Sequence, residues 1–317
     1  MKIVAVTGCM GLIGSHVTSE LLQRGYLVLG IDKLTYAANM EAVQTFKDLP
    51  GFTFLQKDIC DLETIPDCDY IINLAAESHV GNSIIDNTDF INTNISGVQN
   101  LLKIIQNKPS NVCERPILLH FSTDEVYGDL ESGSFTEDSS LNPSNPYSAT
   151  KAAADHLIKS WNRTYGTEYV IVRPTNNYGI FQYPEKLIPL SVKLLQSGKK
   201  IRLHNKGEPT RNWLHAADTA NAIVTIMESG VKNEIFNISG GFEQKNVDTV
   251  KKVIDCYLEE ENIDYDKYLD FSYEREGQDI RYSVDDSKLR KLGWEPKFDF
   301  DEEIKHIVKH CKKTFVW

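Results

Sequence analysis

The sequence predicts an α/β protein with a doubly wound parallel sheet and a smaller C-terminal lobe. Short apolar runs alternate with stretches of helical periodicity through the first 175 residues, and a glycine-rich turn follows the first run. Such alternation is typical of a parallel sheet with helices on both faces, because each helix returns the chain to the start of the next strand. The alternation weakens after residue 175, which predicts the second lobe.

The predicted strands are apolar runs bounded by turn residues, and they recur in order along the chain. They are residues 2–6, 27–31, 52–56, 69–74, 116–121 and 168–173. Predicted helices lie between several of them, at 12–24, 86–106 and 146–164. The segments 180–206 and 240–317 are expected to form most of the second lobe.

The composition is that of a globular protein, with 41% hydrophobic and 25% charged residues among 317. A formal net charge of −11 argues against a nucleic-acid partner, because it repels polyanions. No apolar run reaches the roughly 18 residues of a membrane span, and the first run is too short for a signal peptide. The six cysteines form no paired framework. We therefore expect a cytoplasmic protein with no membrane association.

The glycine-rich turn between the first strand and the first helix predicts a dinucleotide site. Its glycines, Gly8, Gly11 and Gly14, permit close approach of the backbone to a pyrophosphate, and the helix N-terminus offers free N–H groups. Asp32 ends the second strand, where a carboxylate can bind the adenosine ribose and repel a 2′-phosphate. This predicts NAD rather than NADP, although the neighbouring Lys33 argues the other way.

The chain is expected to form two domains. No linker or low-complexity segment divides them, so they should share an extensive interface. Residues 1–175 are the predicted Rossmann-type NAD-binding domain, with 207–238 returning to it, and residues 176–317 are mainly the substrate-binding lobe. Asp58 and Ile59, after the third strand, could hold the adenine edge. Asp58 could equally be a solvated turn residue.

Tyr147 and Lys151 lie four residues apart at the start of a predicted helix, which places both side chains on one face. The strand before them ends at Thr123, Asp124 and Glu125, so a hydroxyl and two acids should reach the same cleft. A nearby ammonium and an oxidised nicotinamide would favour the Tyr147 phenolate, and adjacent carboxylates can hold different protonation states. The sequence therefore predicts a proton-transfer site here.

A pair of histidines near the C-terminus could be interpreted as part of a metal site, but this interpretation is the weaker one. His306 and His310 lie four residues apart on a predicted helix. No glutamate stands between them and no third ligand has suitable spacing, so an amphipathic surface helix is the better interpretation. No metal is expected.

At these residues the sequence resembles the extended short-chain dehydrogenase family, and most closely its nucleotide-sugar 4,6-dehydratases. The resemblance covers essentially the whole chain, and the Thr-Asp-Glu element discriminates best within the family. The matching segments are the glycine loop, Ile-Asp-Lys-Leu-Thr-Tyr at 31–36, Leu-Ala-Ala-Glu-Ser-His at 74–79, Ser-Thr-Asp-Glu-Val-Tyr-Gly at 122–128, Tyr147-x-x-x-Lys151, Asn-Asn-Tyr-Gly at 176–179 and Pro-Glu-Lys-Leu-Ile-Pro at 184–189.

The resemblance implies an NAD-dependent lyase that acts on a nucleoside-diphosphate-glucose. In that family a tyrosine takes the C4 hydroxyl proton while the C4 hydride passes to NAD, and water is then eliminated across C5 and C6. Carried over by position, Tyr147 is the oxidation base, Lys151 binds the nicotinamide ribose, and Thr123 contacts the C4 hydroxyl. Asp124 protonates the departing C6 hydroxyl, and Glu125 takes the C5 proton.

The resemblance also implies the binding residues and a homodimer whose interface is formed by the helices at 86–106 and 146–164. The cofactor residues are Gly8, Gly11, Leu12, Ile13, Gly14, Asp32, Lys33, Asp58, Ile59, Leu74, Ala75, Ala76, Ser78, Thr93, Tyr147, Lys151 and Asn177. The substrate residues are Ser78, Thr123, Asn176, Lys186, Leu187, Arg202, His204, Arg211, Asn246, Arg275 and Asp279. Of these, Arg211 and Arg275 are the expected pyrophosphate clamps, because guanidinium groups match phosphate oxygens bidentately.

The sequence departs from the family pattern at Gly81, where an aspartate is usual, at Leu12, where an aromatic is usual, and within 275–279. The last departure leaves both thymidine- and uridine-diphosphate-glucose open as substrates. A nucleotide-sugar 4-epimerase or decarboxylase is the alternative enzyme, but it ordinarily lacks the adjacent acids. A non-catalytic dinucleotide sensor on the same fold would need neither the acids nor the tyrosine.

Overall fold

The computed structural model describes residues 2–108, 114–274 and 279–314. The described strands are β1 (Ile3–Thr7), β2 (Leu27–Asp32), β3 (Phe52–Gln56), β4 (Tyr70–Asn73), β5 (Ile117–Phe121), β6 (Tyr169–Pro174), β7 (Asn176–Tyr178), β8 (Ile201–His204), β9 (Thr210–His215), β10 (Glu234–Ile238), β11 (Phe242–Lys245) and β12 (Leu269–Tyr273). The described α-helices are α1 (Leu12–Gln23), α2 (Met40–Phe46), α3 (Val80–Ile85), α4 (Thr88–Ile91), α5 (Val98–Asn107), α6 (Pro146–Tyr165), α7 (Leu187–Gln196), α8 (Ala216–Ser229), α9 (Asn246–Leu258), α10 (Ser287–Arg290) and α11 (Phe300–Thr314).

A seven-stranded sheet in the order β10-β6-β5-β4-β1-β2-β3 forms the centre of the molecule, and every neighbouring pair in it is parallel. This confirms the predicted doubly wound α/β fold. Strands β4 and β6 are buried at every residue, because helices cover both faces of the sheet. Full burial explains why these strands are continuous apolar runs in the sequence.

The six predicted strands agree with the structure to within one residue at each end, as do the helices predicted at 12–24 and 146–164. The helix predicted over 86–106 is present from residue 88 to 107, but it is not α-helical throughout. That stretch is divided into α4, a π-helical segment (Asn92–Gly97) and α5. The π-helical segment contains Asn94, whose side-chain amide donates to Glu77 O and Thr150 Oγ1, both at 3.0 Å. These contacts between distant segments leave no periodic signal in the sequence.

Each face of the central sheet has its own apolar core. On one face α1 and α8 pack together against the strands, and Trp294 closes that core. On the other face α5 and α6 cover the sheet. A third core lies in the C-terminal lobe, among α7, α9 and α11.

The C-terminal lobe is built on two small sheets, one ordered β11-β9-β7 and one formed by β12 and β8. Between its segments the chain returns to the main sheet, since α8 packs on α1 and β10 pairs with β6. The residue limits given above for the two domains stay a prediction. No helix in the described ranges is both long and apolar enough to cross a membrane.

Candidate active site

A cavity of about 700 Å³ lies between the central sheet and the C-terminal lobe. Its lining includes residues that end or follow β1, β2, β4, β5 and β6, together with residues of α7, β8 and β9. Ligands of open parallel sheets bind at this carboxyl edge. Every predicted cofactor and catalytic residue lines the cavity, and so do the predicted substrate residues except Asp279 and Arg275. Arg275 lies outside the described residues.

The glycine loop passes so close to its neighbours that two positions exclude a side chain. A Cβ at Gly8 would lie 2.6 Å from Ala75 N, and Gly8 also has φ of +67°. A Cβ at Gly14 would lie 2.0 Å from Gly8 O. Gly11 precedes α1, whose first turn has no side-chain cap. Uncapped N–H groups at a helix N-terminus bind phosphate oxygens, so the loop fits a dinucleotide pyrophosphate.

Asp32 and Lys33 are held in different ways at the end of β2. Asp32 Oδ2 accepts from Met10 N at 2.9 Å and Oδ1 accepts from Leu34 N at 2.8 Å. Lys33 Nζ lies 3.4 Å from Asp58 Oδ2 and 3.5 Å from Glu77 Oε1. The Lys33 charge is therefore paired with two carboxylates, which weakens the argument that it attracts a 2′-phosphate.

Asp58 begins a single 3₁₀ turn (Ile59–Asp61) after β3. Its Oδ1 accepts from Cys60 N at 2.9 Å, so it caps the turn, and its other oxygen faces Lys33. Both Asp58 and Ile59 line the cavity. The carboxylate thus has the turn role that the sequence left open and also lines the cavity.

The acid pair is carried on a 3₁₀ turn (Asp124–Tyr127) that follows β5 directly. Thr123 caps this turn by accepting from Glu125 N at 3.3 Å, and its hydroxyl donates to Asp124 Oδ1 at 3.2 Å. Asp124 is buried, and its Oδ2 has no hydrogen-bond partner within the described part of the chain. A carboxyl oxygen left unpaired in a buried site is placed to exchange a proton with a ligand.

The two acids have different electrostatic surroundings. Burial, and after it the Glu125 carboxylate, raises the pKa of Asp124 to about 8. Burial also raises the pKa of Glu125, but the Arg211 guanidinium opposes that rise. At neutral pH Asp124 therefore keeps its proton. Arg211 favours ionisation of both acids, and Lys186 adds to this effect at Glu125 alone.

Tyr147 and Lys151 lie in the first turns of α6, as predicted. A capping box fixes this end of the helix, since Asn145 Oδ1 accepts from Ser148 N at 3.0 Å and Ser148 Oγ accepts from Asn145 N at 3.3 Å. Lys151 is buried, and its Nζ donates to Phe121 O at 2.5 Å. Burial lowers the pKa of Lys151 to about 8, with the Asp155 carboxylate opposing the change.

The protein's own groups do not by themselves favour the Tyr147 phenolate. Burial, and after it the Glu125 carboxylate, raises the pKa of Tyr147 above its ordinary value. The Lys151 ammonium is directed at the Phe121 carbonyl. Two cations were expected to favour the phenolate, the Lys151 ammonium and the oxidised nicotinamide. The Lys151 ammonium is not sufficient, so formation of the phenolate also requires the nicotinamide.

Arg211 and Asp279 occupy different positions, although both were predicted to bind substrate. Arg211 lines the cavity, its Nη1 donates to Thr210 O at 2.7 Å, and its guanidinium lies 4.6 Å from the Tyr282 ring centre. Asp279 is buried behind it. The Asp279 carbonyl accepts from Arg211 Nη2 at 3.2 Å, and its carboxylate accepts from Ser144 Oγ at 2.7 Å and from the Tyr282 hydroxyl. Asp279 therefore supports the arginine from outside the cavity.

The lobe closes the cavity through polar and aromatic contacts. Lys186 Nζ donates to Ser78 O at 3.0 Å, which connects the lobe to the segment after β4. The Arg202 guanidinium lies 4.6 Å from the ring centre of Tyr273 on the neighbouring strand. These contacts hold two basic side chains in the wall that the lobe contributes to the cavity.

Sequence reasoning missed two features of the cavity wall. Glu77 lines it and pairs with Lys33, although its motif had been singled out. Tyr36 OH donates to Glu185 Oε2 at 3.0 Å, which joins the loop after β2 to the segment before α7. Glu77 and Tyr36 both lie in motifs that the sequence analysis singled out. Their contacts could not be predicted, because the partners are far apart in sequence.

Across the described ranges, no group of three or more His, Cys, Asp or Glu side chains is arranged to hold a metal ion. His310 on α11 instead makes an edge-on contact with Phe181, with ring centres 5.3 Å apart.

The chain matches known proteins over nearly its whole length. The family model described as GDP-mannose 4,6 dehydratase matches residues 5–307. A dTDP-glucose 4,6-dehydratase of Haemophilus influenzae is 39% identical over 98% of this chain and 97% of its own. One from Neisseria gonorrhoeae is 40% identical over 97% and 95%.

Solved structures agree with this placement. The dTDP-glucose 4,6-dehydratase DesIV of Streptomyces venezuelae, crystallised with NAD, is similar with a TM-score of 0.91 and 36% identity, covering 98% of this chain and 97% of that one. A UDP-glucuronic acid 4-epimerase of Bacillus cereus has a TM-score of 0.90 at 24% identity, covering 99% and 100% of the two chains, a likeness of fold alone. The chain belongs to the GDP-mannose 4,6 dehydratase family, within the extended short-chain dehydrogenases.

Proposed function

We propose that this protein is an NAD-dependent lyase that converts dTDP-glucose or UDP-glucose into the corresponding 4-keto-6-deoxy sugar. The observation that carries the proposal is the adjacent Asp124 and Glu125 pair, of which Asp124 is buried and both line the same cavity as Tyr147 and Lys151. The relatives named above, which are dTDP-glucose 4,6-dehydratases at 39–40% identity, support the same reaction.

The residues around the glycine loop fit NAD. Gly8 and Gly14 leave no room for side chains where a pyrophosphate would approach, and Asp32 stands where an adenosine ribose would bind. When bound, NAD would take a hydride from the sugar C4 and return it to C6. Lys151 is the proposed contact to the nicotinamide ribose, Thr93 and Asn177 are further proposed contacts to the cofactor, and Asp58 and Ile59 would lie at the adenine.

The chain's own residues then move the protons. Tyr147 takes the C4 hydroxyl proton, and the resulting C4 ketone makes the adjacent C5–H acidic. Glu125 removes the C5 proton, while Asp124 protonates the C6 hydroxyl so that it departs as water. Glu125 later returns a proton to C5 as the hydride returns to C6, so that one water is lost overall. Exchange with solvent removes the proton that Tyr147 gained and replaces the one that Asp124 lost. The raised pKa of Asp124, about 8, supports its role as the acid.

We assign the substrate to the side of the cavity formed by residues 176–317 and the cofactor to residues 1–175 with 207–238. Thr123 and Asn176 would contact the sugar, and Arg211 would clamp the pyrophosphate. The other proposed substrate contacts are Ser78, Lys186, Leu187, Arg202, His204 and Asn246, which line the cavity. Arg275 and Asp279 remain predicted contacts, although Asp279 lies behind Arg211.

We also propose a cytoplasmic homodimer. In support, Ile85 is 87% exposed and Ile84 and Ile91 are about half exposed, all near the helices expected to form the interface. Large exposed apolar clusters mark protein interfaces. The described cysteines are free thiols, which fits a reducing compartment. Light scattering after size exclusion tests the dimer, and a monomeric mass at micromolar concentration would contradict it.

The central experiment incubates the protein separately with dTDP-glucose and UDP-glucose and follows the products by mass spectrometry. Dehydration lowers the mass by one water, whereas 4-epimerisation leaves the mass unchanged. Loss of water from at least one substrate is expected, and the double variant Asp124→Asn, Glu125→Gln is the matched control. Epimer formation without loss of water would support the epimerase alternative, and no turnover of either would refute the proposal.

A further inference from the structure

A buried ion pair on α6 and β6 takes no part in the proton steps above. The Asp155 side chain is wholly inaccessible and Arg173 is 2% exposed. Arg173 Nε and Nη2 donate to Asp155 Oδ2 at 3.0 and 2.9 Å. Burying two charges costs enough that such a pair is weak evidence for stability, so another role has to be sought.

Asp155 follows Lys151 by one helical turn, just as Lys151 follows Tyr147, so the three side chains share one face of α6. Asp155 Oδ2 is taken by Arg173, but Oδ1 accepts no hydrogen bond from a described residue. Among the described residues the Ser122 hydroxyl has no hydrogen-bond partner either. It nevertheless lies close enough to the Asp155 carboxylate to influence its pKa. Burial raises the pKa of Asp155, and Arg173, Ser122 and Lys151 each lower it.

Arg173 is anchored by Tyr127 as well as by Asp155. Its Nη1 donates to Tyr127 OH at 2.7 Å and its guanidinium lies 4.8 Å from the Tyr127 ring centre. Tyr127 OH in turn donates to Asn237 Oδ1 at 2.8 Å. Because Tyr127 ends the turn that carries the acid pair, this network also connects α6 to that turn.

Lys151 needs a counter-charge, because its own described hydrogen bond is to the neutral carbonyl of Phe121. We propose that Asp155 is a positioning residue that keeps Lys151 in its ammonium form beside Tyr147. The consequence for turnover rests on the proposed function, but the charge of Lys151 can be measured in the resting protein.

Other ionisable groups face Lys151 from the elements packed around it. His120 on β5 is fully buried, and burial holds its pKa well below the ordinary value, so it is neutral. Asp124 and Glu125 on the turn lie on the Tyr147 side. Arg173 on β6 is bound to Asp155 and is the other charged group of this network.

Asp155→Asn tests the proposal, because it keeps the shape and an oxygen for Arg173 but removes the charge. We expect the pKa of Lys151 to fall by about one unit or more, as is usual when an opposite charge nearby is lost. NMR of the protein with ¹⁵N-labelled lysine measures it, and Lys151→Arg assigns the signal. The ammonium is the active form, so the alkaline limb of NADH formation in single turnover should move to lower pH by the same amount.

Two further variants separate charge from structure. Tyr127→Phe removes a hydroxyl from the same network without changing any charge, and it should leave the pKa of Lys151 and the pH limb unmoved. Ser122→Ala withdraws a group that favours ionised Asp155, so it should produce a smaller shift in the same direction as Asp155→Asn. If Asp155→Asn does not fold, the pKa of Lys151 is measured in Ser122→Ala instead.

An unchanged Lys151 pKa in a folded Asp155→Asn protein, whatever its melting temperature, would make Asp155 purely structural and overturn the proposal. The same holds for an unchanged pKa in Ser122→Ala if that variant carries the test. A shifted pKa in a protein that dehydrates no nucleotide sugar would instead refute the proposed function and leave this inference standing.

Discussion

The two pairs of proposed proton-transfer residues in the cavity differ in the structures that carry them. Tyr147 and Lys151 stand on the twenty-residue helix α6, which has a capping box at its start and ends at Gly166 in the left-handed conformation. Asp124 and Glu125 stand on a single 3₁₀ turn that is closed by Gly128, where φ is +83° and a Cβ would meet Asn142 O at 2.6 Å. The helix spaces its groups one turn apart, whereas the turn makes its groups adjacent.

Burial shifts the pKa values of Lys151 and Asp124 in opposite directions and with complementary results. It lowers the pKa of Lys151 to about 8 and, together with Glu125, raises that of Asp124 to about 8. At neutral pH Lys151 therefore still carries its charge and Asp124 still carries its proton. Each group is held in the form that its proposed step needs, and both forms are lost as the pH rises above about 8.

The largest effect is expected from Tyr147→Phe, because this change removes the first step on which the acid pair depends. Turnover should fall by at least the roughly 10²–10⁴-fold typical of general base catalysis. Single-turnover absorbance should show no transient NADH. Tyr165→Phe, at the exposed end of the same helix, is the matched control and should behave as the native protein. Native NADH formation in Tyr147→Phe would place the base elsewhere.

The acid-pair variants should separate oxidation from elimination. Glu125→Gln leaves Tyr147 able to oxidise C4, so NADH should form and then persist, and C5 should stop exchanging with deuterated water. Asp124→Asn should also oxidise C4 and still exchange C5, while loss of water falls by roughly 10²–10⁴-fold. Mass spectrometry of the recovered sugar measures both effects.

These two variants also test the assignment of roles within the pair. If C5 exchange survived in Glu125→Gln and vanished in Asp124→Asn, the acid and the base would be reversed. If neither variant formed NADH, the pair would act on oxidation as well, and the separation between helix and turn drawn above would be wrong.

Asp124→Asn is expected to lower activity but to raise the stability of the folded protein. The folded-state pKa of Asp124 lies above its unfolded value, so its contribution is complete below about pH 4 and is lost as the pH rises through about 8. Asparagine has no such dependence. The variant should therefore gain melting temperature over the native protein between pH 5 and 8, by a few degrees at roughly 2–4 °C per kcal/mol.

Scanning calorimetry at pH 5, 7 and 9 measures this gain, with Glu125→Gln as the companion. Glu125→Gln should gain less, because Arg211 already favours the ionised Glu125 and would lose its partner. A melting temperature for Asp124→Asn below that of the native protein at pH 7 would show that the buried acid is not a source of strain.

The parts of this molecule that sequence predicts well are those fixed by local pattern. The buried strands β4 and β6 are apolar throughout, and the glycines at 8 and 14 have steric reasons visible in their spacing. Tyr147 and Lys151 share a face because a helix has a fixed period. The cavity that gathers these groups follows from the order of parallel strands.

The parts that sequence could not supply depend on contacts between distant segments. Nothing near Lys33 indicates that its ammonium pairs with Asp58 and Glu77, and nothing near Asp279 indicates that it lies behind Arg211. The short strands of the lobe are similarly hidden, since β8 alternates between buried and exposed residues over only four positions. The pairing of Asp155 with Arg173 joins a helix to a strand and has no local signal.

The smallest effect concerns the cofactor that both proton-transfer groups are proposed to share. Asp32 binds two backbone N–H groups and stands where a ribose hydroxyl would meet it, while the Lys33 charge is turned to Asp58 and Glu77. We therefore expect tighter binding of NAD than of NADP, and Asp32→Asn should narrow that ratio by about tenfold, or roughly 1.4 kcal/mol. Calorimetric titration with both cofactors measures the ratio, and Lys33→Met is the matched control, expected to leave it unchanged.

Because asparagine can accept only one of the two backbone hydrogen bonds, both cofactors should also bind more weakly to Asp32→Asn. Equal affinity of the native protein for the two cofactors would contradict the Asp32 assignment, and a selective loss of NADP binding in Lys33→Met would show that its ammonium reaches the 2′-phosphate after all.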